Sequence, residues 1–253
     1  MQSANIVGYN TVTLKPGFNM LAVNFKNVAD ADGIEINDLF PGGGKETALK
    51  AAATSADADV IKVHNAETGE YTTYFLFKPA KNVSTNPKSY FWVDPALNVV
   101  QPKFKNGDSF WYISKNTGDV TATVSGEVEL SAVKTIDIKN GFNMIGSFFP
   151  AGWTLNDELY TPAYWQNCGA ISAATSADAD VVKVHDAATG EYSTYFLFKP
   201  AKNVSTNPKS YHWVDPALNI YSNKVMEAGQ GAWYIHKSTG FTLDIKNQTG
   251  ITK

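Results

Sequence analysis

The sequence predicts an all-β chain: two homologous β-sandwich or barrel-like lobes made by tandem duplication, with short helical turns between strands. Two observations carry this. The stretch Thr54–Asn98 returns 121 residues later as Thr175–Asn219, and of 45 aligned positions only five differ: Ile61/Val182, Asn65/Asp186, Glu67/Ala188, Thr72/Ser193 and Phe91/His212. A repeat of that length is a small domain rather than a solenoid unit. Elsewhere, short β-branched and aromatic runs alternate with turns rich in Gly, Pro and Asn, the pattern of sandwiches and barrels. The 253 residues then divide into a first lobe, 1–128, and a second, 129–253, each of ordinary domain size.

Each lobe is expected to open with a hairpin. In the first, Ile6–Leu14 leads through the turn Lys15–Asn19 to Met20–Phe25; in the second, Val133–Ile138 leads through Lys139–Asn143 to Met144–Phe149. The copies diverge most between hairpin and repeat, where helical turns are expected at Ile36–Phe40 and Leu155–Leu159 and a loop at Pro41–Gly44. Within the repeat, Asp59–His64 alternates, with Asp59, Ile61 and Val63 on one face and Val60, Lys62 and His64 on the other. The A-E-T-G of Asn65–Glu70 is a turn into the strand Tyr71–Phe77, which Pro79 stops. A polar loop, Lys78–Ser89, leads to a short aromatic strand at Tyr90–Asp94, and Asp94-Pro95 reads as a helix start. Hairpin-like pairs at Gly107–Val124 and Gly231–Ile245 close the lobes, with Ser125–Ser131 as linker.

Composition excludes several functions. Charged residues make up 18% and the net charge is −3, unlike the basic surface that nucleic acid requires. No run reaches the roughly 20 apolar residues of a membrane helix. The single cysteine, Cys168, has no internal disulfide partner and reads as a small buried hydrophobe. No His/Cys cluster has metal-ligand spacing, and no nucleophile elbow, P-loop or dinucleotide fingerprint appears, so neither metal nor cofactor is expected. Asp30–Glu35 has part of a calcium-loop pattern, but Leu39 stands where the bidentate Glu belongs. The start, MQSANIV, reads as a mature terminus behind an added Met, hence an exported, secreted or cell-surface protein whose leader has been removed.

The candidate catalytic residues are Asp57, Asp59, Asp178 and Asp180, at the mouth of the repeated strand. Asp59 and Asp180 point toward an apolar face, where desolvation favours a shared proton if the copies meet about a pseudo-two-fold axis. The alternative is a solvated turn entering a strand. His64 and His185 sit beside the turn on the polar face, as surface residues or substrate contacts. Phe91 and His212 occupy one partly wet position, a second candidate substrate contact, while Trp92 and Trp213 point to the core. The aromatic clusters around them are of the type that stacks on sugar rings.

The opening SANIVGYNTVTLKPGFNM, its echo IKNGFNMIGSF and the closing GAWYI resemble, over the full length, secreted β-rich proteins of mucus-dwelling Verrucomicrobia of the Akkermansia type, one of them described as a mucin-degrading aspartic protease. The resemblance implies an exported hydrolase acting on mucin protein, with aspartates as the catalytic pair. The D-T-G signature of pepsin-like enzymes is absent, because Thr68-Gly69 and Thr189-Gly190 follow Glu67 and Ala188. The four aspartates therefore rest on duplication and placement. The competing reading is a non-enzymatic bivalent module that binds glycan or protein, or builds a cell surface.

Overall fold

The computed structural model describes residues 6–27, 30, 32–40, 44–221 and 224–251. The first half of the chain forms β1 (Val7–Leu14), β2 (Gly17–Ala22), β3 (Ile34–Glu35), α1 (Ile36–Leu39), β4 (Val60–His64), β5 (Tyr71–Phe77), β6 (Phe91–Val93), β7 (Lys103–Phe104), β8 (Ser109–Ser114) and β9 (Val120–Glu127). The second half forms β10 (Val133–Ile138), β11 (Gly141–Gly146), β12 (Trp153–Thr154), α2 (Pro162–Asn167), β13 (Val181–His185), β14 (Tyr192–Phe198), β15 (His212–Val214), β16 (Lys224–Met226), β17 (Gly231–His236) and β18 (Phe241–Lys246). The chain is all-β and every strand pair is antiparallel. The same strand order appears twice, as β2-β8-β4-β5-β6 and as β11-β17-β13-β14-β15. Each half adds a two-stranded ribbon, β1-β9 or β10-β18, and a shorter pair, β3-β7 or β12-β16. Among the described residues no sheet closes into a barrel.

One face of each five-stranded sheet packs against its ribbon. Ile61, Leu76, Trp92 and Tyr112 lie in one cluster with Leu14 and Ala122 of the β1-β9 ribbon and with Ile36 and Leu39 of α1. Val182, Leu197, Trp213 and Tyr234 occupy the same places against Ile138 and Leu243, with Trp165 of α2 closing the side. Trp92 and Trp213 are both fully buried, as expected. Burying side chains of this size contributes on the order of 2 kcal/mol each before entropy is counted. The opposite face of each sheet is also apolar along part of its length: Val60, Phe75, Val93 and Ile113 form one cluster, and Val181, Phe196, Val214 and Ile235 belong to another.

Neither the expected opening hairpins nor the closing pairs form, since β8 lies between β2 and β4 and β17 between β11 and β13, while β9 and β18 go to the ribbons. β1 pairs with β9 and β2 pairs with β8, so the turn between them moves the chain from ribbon to sheet. β10 and β11 part company in the same way, joining β18 and β17. Local pattern marks strands and turns but not a strand's partner, and here the turn is a corner. A buried carboxamide holds it. The Asn19 side chain accepts from Lys15 N at 2.8 Å and donates to the carbonyls of Lys15, Gly17 and Tyr112 at 2.8, 3.0 and 3.3 Å. Asn143 repeats all four contacts with Lys139, Gly141 and Tyr234. The G-F-N-M motif in both halves is thus a corner built from side-chain hydrogen bonds.

Three further expectations change. No helix forms at Leu155–Leu159, where Asp157 Oδ1 instead accepts from the backbone N–H of Leu159 and Tyr160; the helix follows as α2, capped by Thr161 with Pro162 at its first turn. Asp94 caps a single turn rather than a helix, because Leu97 takes a φ of 62° and Asn98 returns two hydrogen bonds to the Asp94 carboxylate. The expected linker is packed: β9 runs to Glu127, Val128 and Leu130 join the first core, and buried Glu129 pairs with Lys134 at 3.0 Å. Of the expected loop Pro41–Gly44, residues 41–43 lie outside the described residues, whereas α1 and the β4-β5 hairpin form as expected.

The two sheets meet along β2, β8, β11 and β17. Ala22 N donates to Gly229 O at 2.8 Å beside a bridge between Leu21 and Gln230, and Asn106 Nδ2 donates to Phe148 O at 2.8 Å. The approach is close at glycine: a Cβ on Gly146 would lie 2.3 Å from Ala22 Cβ, and one on Gly231 2.0 Å from Ser109 Oγ. Gly146→Ala is therefore expected to destabilise the chain by about 1–3 kcal/mol through overpacking. Gly118→Ala, whose Cβ meets nothing within 4 Å, is the control. Urea midpoints check this, and equal midpoints for the two variants would contradict the close junction.

Candidate functional site

The expected catalytic aspartates divide into two kinds. Asp57 and Asp178 are exposed and accept from Thr54 Oγ1 at 3.0 Å and Thr175 Oγ1 at 2.9 Å, closing the short turn before the strand. Asp59 and Asp180 are fully buried one residue before β4 and β13. Asp59 Oδ1 accepts from Lys115 N at 2.6 Å, and its Oδ2 accepts from Lys50 N at 2.9 Å and Tyr112 O–H at 2.7 Å. Asp180 accepts from Ile171 N at 3.0 Å, Tyr234 O–H at 2.9 Å and Lys237 N at 3.0 Å. His236 Nδ1 lies 2.9 Å from both Asp180 oxygens, an ion pair when the ring carries its second proton; its Nε2 meets Thr239 O at 2.7 Å. Burial and the neighbouring carboxylate push the hydroxyls of Tyr112 and Tyr234 well above the usual tyrosine range.

Among the described residues every donor to Asp59 comes from the first half of the chain and every donor to Asp180 from the second, and the two carboxylates share no partner. General acid–base catalysis needs a carboxyl within reach of substrate or water. These two are instead occupied by three segments each, the loop before the strand, the tyrosine of β8 or β17, and the backbone just beyond it.

His64 is half-buried and His185 is buried. They mark the junction. His64 packs edge-to-face on Trp233 of the other half at 5.0 Å, and His185 packs on Trp111 at 5.1 Å. Two matching runs of rings result, Phe18–Trp111–His185–Tyr192 and Phe142–Trp233–His64–Tyr71, with adjacent centroids 5.0–5.6 Å apart. Phe18 and Phe142 stay about half exposed at their ends. Nδ1 of both histidines is buried without a hydrogen-bond partner. The copies differ just here: Glu67 reaches Lys139 across the junction at 3.4 Å, whereas Ala188 leaves Lys15 to pair with Asp119. Beside His185 this opens a cavity of about 350 Å³ lined by Phe18 and Ala188.

Phe91 and His212 are half-buried and stand apart from the aspartates, each at the end of a loop on β5 or β14. The first loop borders a cavity of about 670 Å³, lined by Asn82, Ser84, Asn86, Tyr90 and Phe91 among others. Both loops hold non-glycine residues in the left-handed region at matching places: Asn82 and Asn203 at φ 57° and 58°, Tyr90 and Tyr211 at 60°, Leu97 and Leu218 at 62° and 63°. Each costs on the order of 1–3 kcal/mol unless its surroundings compensate. Lys78 lies over the Tyr90 ring at 5.4 Å and Lys199 over Tyr211 at 5.8 Å. Among the described residues no group of three or more His, Cys, Asp or Glu is placed to hold a metal, and no helix is long and apolar enough to cross a membrane.

Set against protein-family models, curated proteins and solved structures, the chain has no match.

Sequence reasoning missed Tyr112, Tyr234 and His236 as partners of the aspartates, and Trp111 and Trp233 as partners of the histidines. The available signal was that W-Y-I follows each repeat at nearly the same distance, Trp111 and Trp233. Burial holds His64 and His185 below their ordinary value of 6.5, against a smaller opposing pull from Asp186 on His185. A depressed folded-state value means that the unfolded chain takes up protons first as pH falls. Stability is thus expected to be full at neutral pH and to decline as pH drops below about 6.5. His64→Phe with His185→Phe flattens that decline. Glu129, held at about 2 chiefly by hydrogen bonds from Ser131 and Lys134 that outweigh its desolvation, acts in a separate window below its ordinary 4.5. Urea unfolding across pH 5–7 checks this, and an unaltered slope in the double variant contradicts it.

Proposed function

We propose that this chain is a two-site recognition module that presents the loops Lys78–Asn98 and Lys199–Asn219 to a repetitive target, with mucin-type glycoprotein the expected partner. One observation carries the reading. These 21-residue loops differ only at Phe91/His212, although most of their side chains are exposed or half-exposed. The ribbon strands have diverged much further, as with VGYNTVTL of β1 and VKTIDI of β10, whereas the core-filling β4, β5 and β6 differ from β13, β14 and β15 at one position each. Core packing tolerates apolar exchange at constant volume. A solvent-facing loop has no packing reason to stay identical, and left-handed Tyr90 and Tyr211 add a cost that a mere connection avoids.

Hydrolysis by Asp59 and Asp180 has less support. Both carboxylates are enclosed in separate sheets, so a substrate complex requires them to be uncovered.

Two equivalent sites give avidity on a repetitive surface without any new contact. Replacing 81–88 or 202–209 by a Gly/Ser segment of equal length is expected to weaken binding to mucin-coated chips about 100-fold in either case. Mass spectrometry of the mucin is expected to show no new peptide termini. New termini produced by the intact chain, or single-loop variants that bind like the intact chain, overturn the proposal.

A further inference from the structure

The loops also indicate what they recognise. Between Lys78 and Val93 the chain carries Lys78, Lys81 and Lys88 and no acid, and the second loop repeats this, so six of the 21 cationic residues of a net-negative protein sit in two short segments. Their ammonium groups are not equally committed. Lys88 and Lys209 donate to the carbonyls of Leu97 and Leu218 at 2.6 Å, which closes each loop on itself. Lys78 pairs with Glu46 at 3.4 Å. Lys81 and Lys202 are exposed, and among the described residues neither has an acidic partner. Each immediately precedes the left-handed asparagine, Asn82 or Asn203, whose exposed carboxamide makes no hydrogen bond within the described structure. In the first loop Asn82 and Ser84 line the cavity together with Tyr90 and Phe91.

Amides and hydroxyls set beside aromatic rings suit a polyhydroxylated ring, whose apolar face stacks while its hydroxyls pair with the amides. An uncommitted lysine one residue before the asparagine suits an anionic substituent through a charge-assisted hydrogen bond. We propose that each loop is a site for an acidic saccharide, a sugar bearing a carboxylate or sulfate, with Lys81 or Lys202 on the anionic group and Asn82 or Asn203 on the ring hydroxyls. This rests on the two-site reading above and names its ligand. The two sites differ in one lining residue: Phe91 offers a purely apolar face, whereas the half-buried His212 adds a polar edge held near Ser210 O at 3.2 Å.

Isothermal titration with 3′-sialyllactose, 6-sulfo-N-acetylglucosamine and lactose tests this. The acidic probes are expected to bind at two per chain with unequal affinities that weaken as salt rises, and the two arms show which anion is preferred. Lactose is expected to bind at least about tenfold more weakly, the value of one charge-assisted hydrogen bond. Lys81→Glu removes one site and Lys202→Glu the other, with melting temperatures unchanged. Exchanging Phe91→His with His212→Phe swaps the two affinities. Lactose binding as well as the acidic sugars overturns the proposal. So does undiminished binding to mucin stripped of sialic acid and sulfate, which leaves the two-site module standing with a different ligand; failure to bind any mucin surface removes both.

Discussion

The interaction on which this architecture depends is a buried carboxylate that takes backbone amides as partners. Asp59 gathers Lys50 N and Lys115 N, groups 65 positions apart in sequence, and adds the Tyr112 hydroxyl. Asp180 does the same with Ile171 N, Lys237 N and the Tyr234 hydroxyl. A buried charge is tolerable only when its oxygens are saturated, so these aspartates dictate where three segments of each half must lie. The loop entering β4 or β13 is anchored at its start, and the end of β8 or β17 is anchored beside it. The exposed loops grow from the same sheets, on β5 and β14, and inherit that fixed base. Recognition sites on loops work when a rigid scaffold positions them.

Two such scaffolds occur in the chain, and the differences between them fall in informative places. Where Ser114 stands in the first half, His236 stands in the second and sets a ring nitrogen 2.9 Å from the carboxylate. At the junction, Glu67 and Ala188 break the symmetry of two otherwise matching aromatic runs. The other buried segments have changed around constant anchors, among them Asn19 and Asn143, while β4, β5 and β6 match β13, β14 and β15 almost residue for residue. The exposed loops between them have scarcely changed either. Loops that serve only to connect strands are free to vary.

Much of the fold was legible in the chain. The repeat marked a strand order that appears twice, alternation placed Ile61 and Val182 on the core face, and A-E-T-G gave the local β4-β5 hairpin. Partner choice was not legible. β1 and β2 are separated by three positions and read as a hairpin, yet they belong to different sheets, because pairing is decided by long-range burial and the corner asparagine's bond to Tyr112 O has no local signature. The candidate site was legible in part. Asp59 was correctly placed on the apolar face, but whether such a carboxylate is a reactive group or a bound one depends on donors from Lys50 and Lys115, whose backbone N–H carries no sequence signature. His64 read as a surface residue because Trp233 lies far away in the chain.

Amide hydrogen exchange tests the anchoring most directly. The N–H groups of Lys50, Lys115, Ile171 and Lys237 lie outside every strand and helix, so local structure gives them no protection. Held by buried carboxylates, they are expected to exchange only on global unfolding, as slowly as the paired amides of β4 and β13 and far more slowly than neighbouring Thr117 and Ser238. Exchange of those four amides at the rate of their loop neighbours would contradict the account.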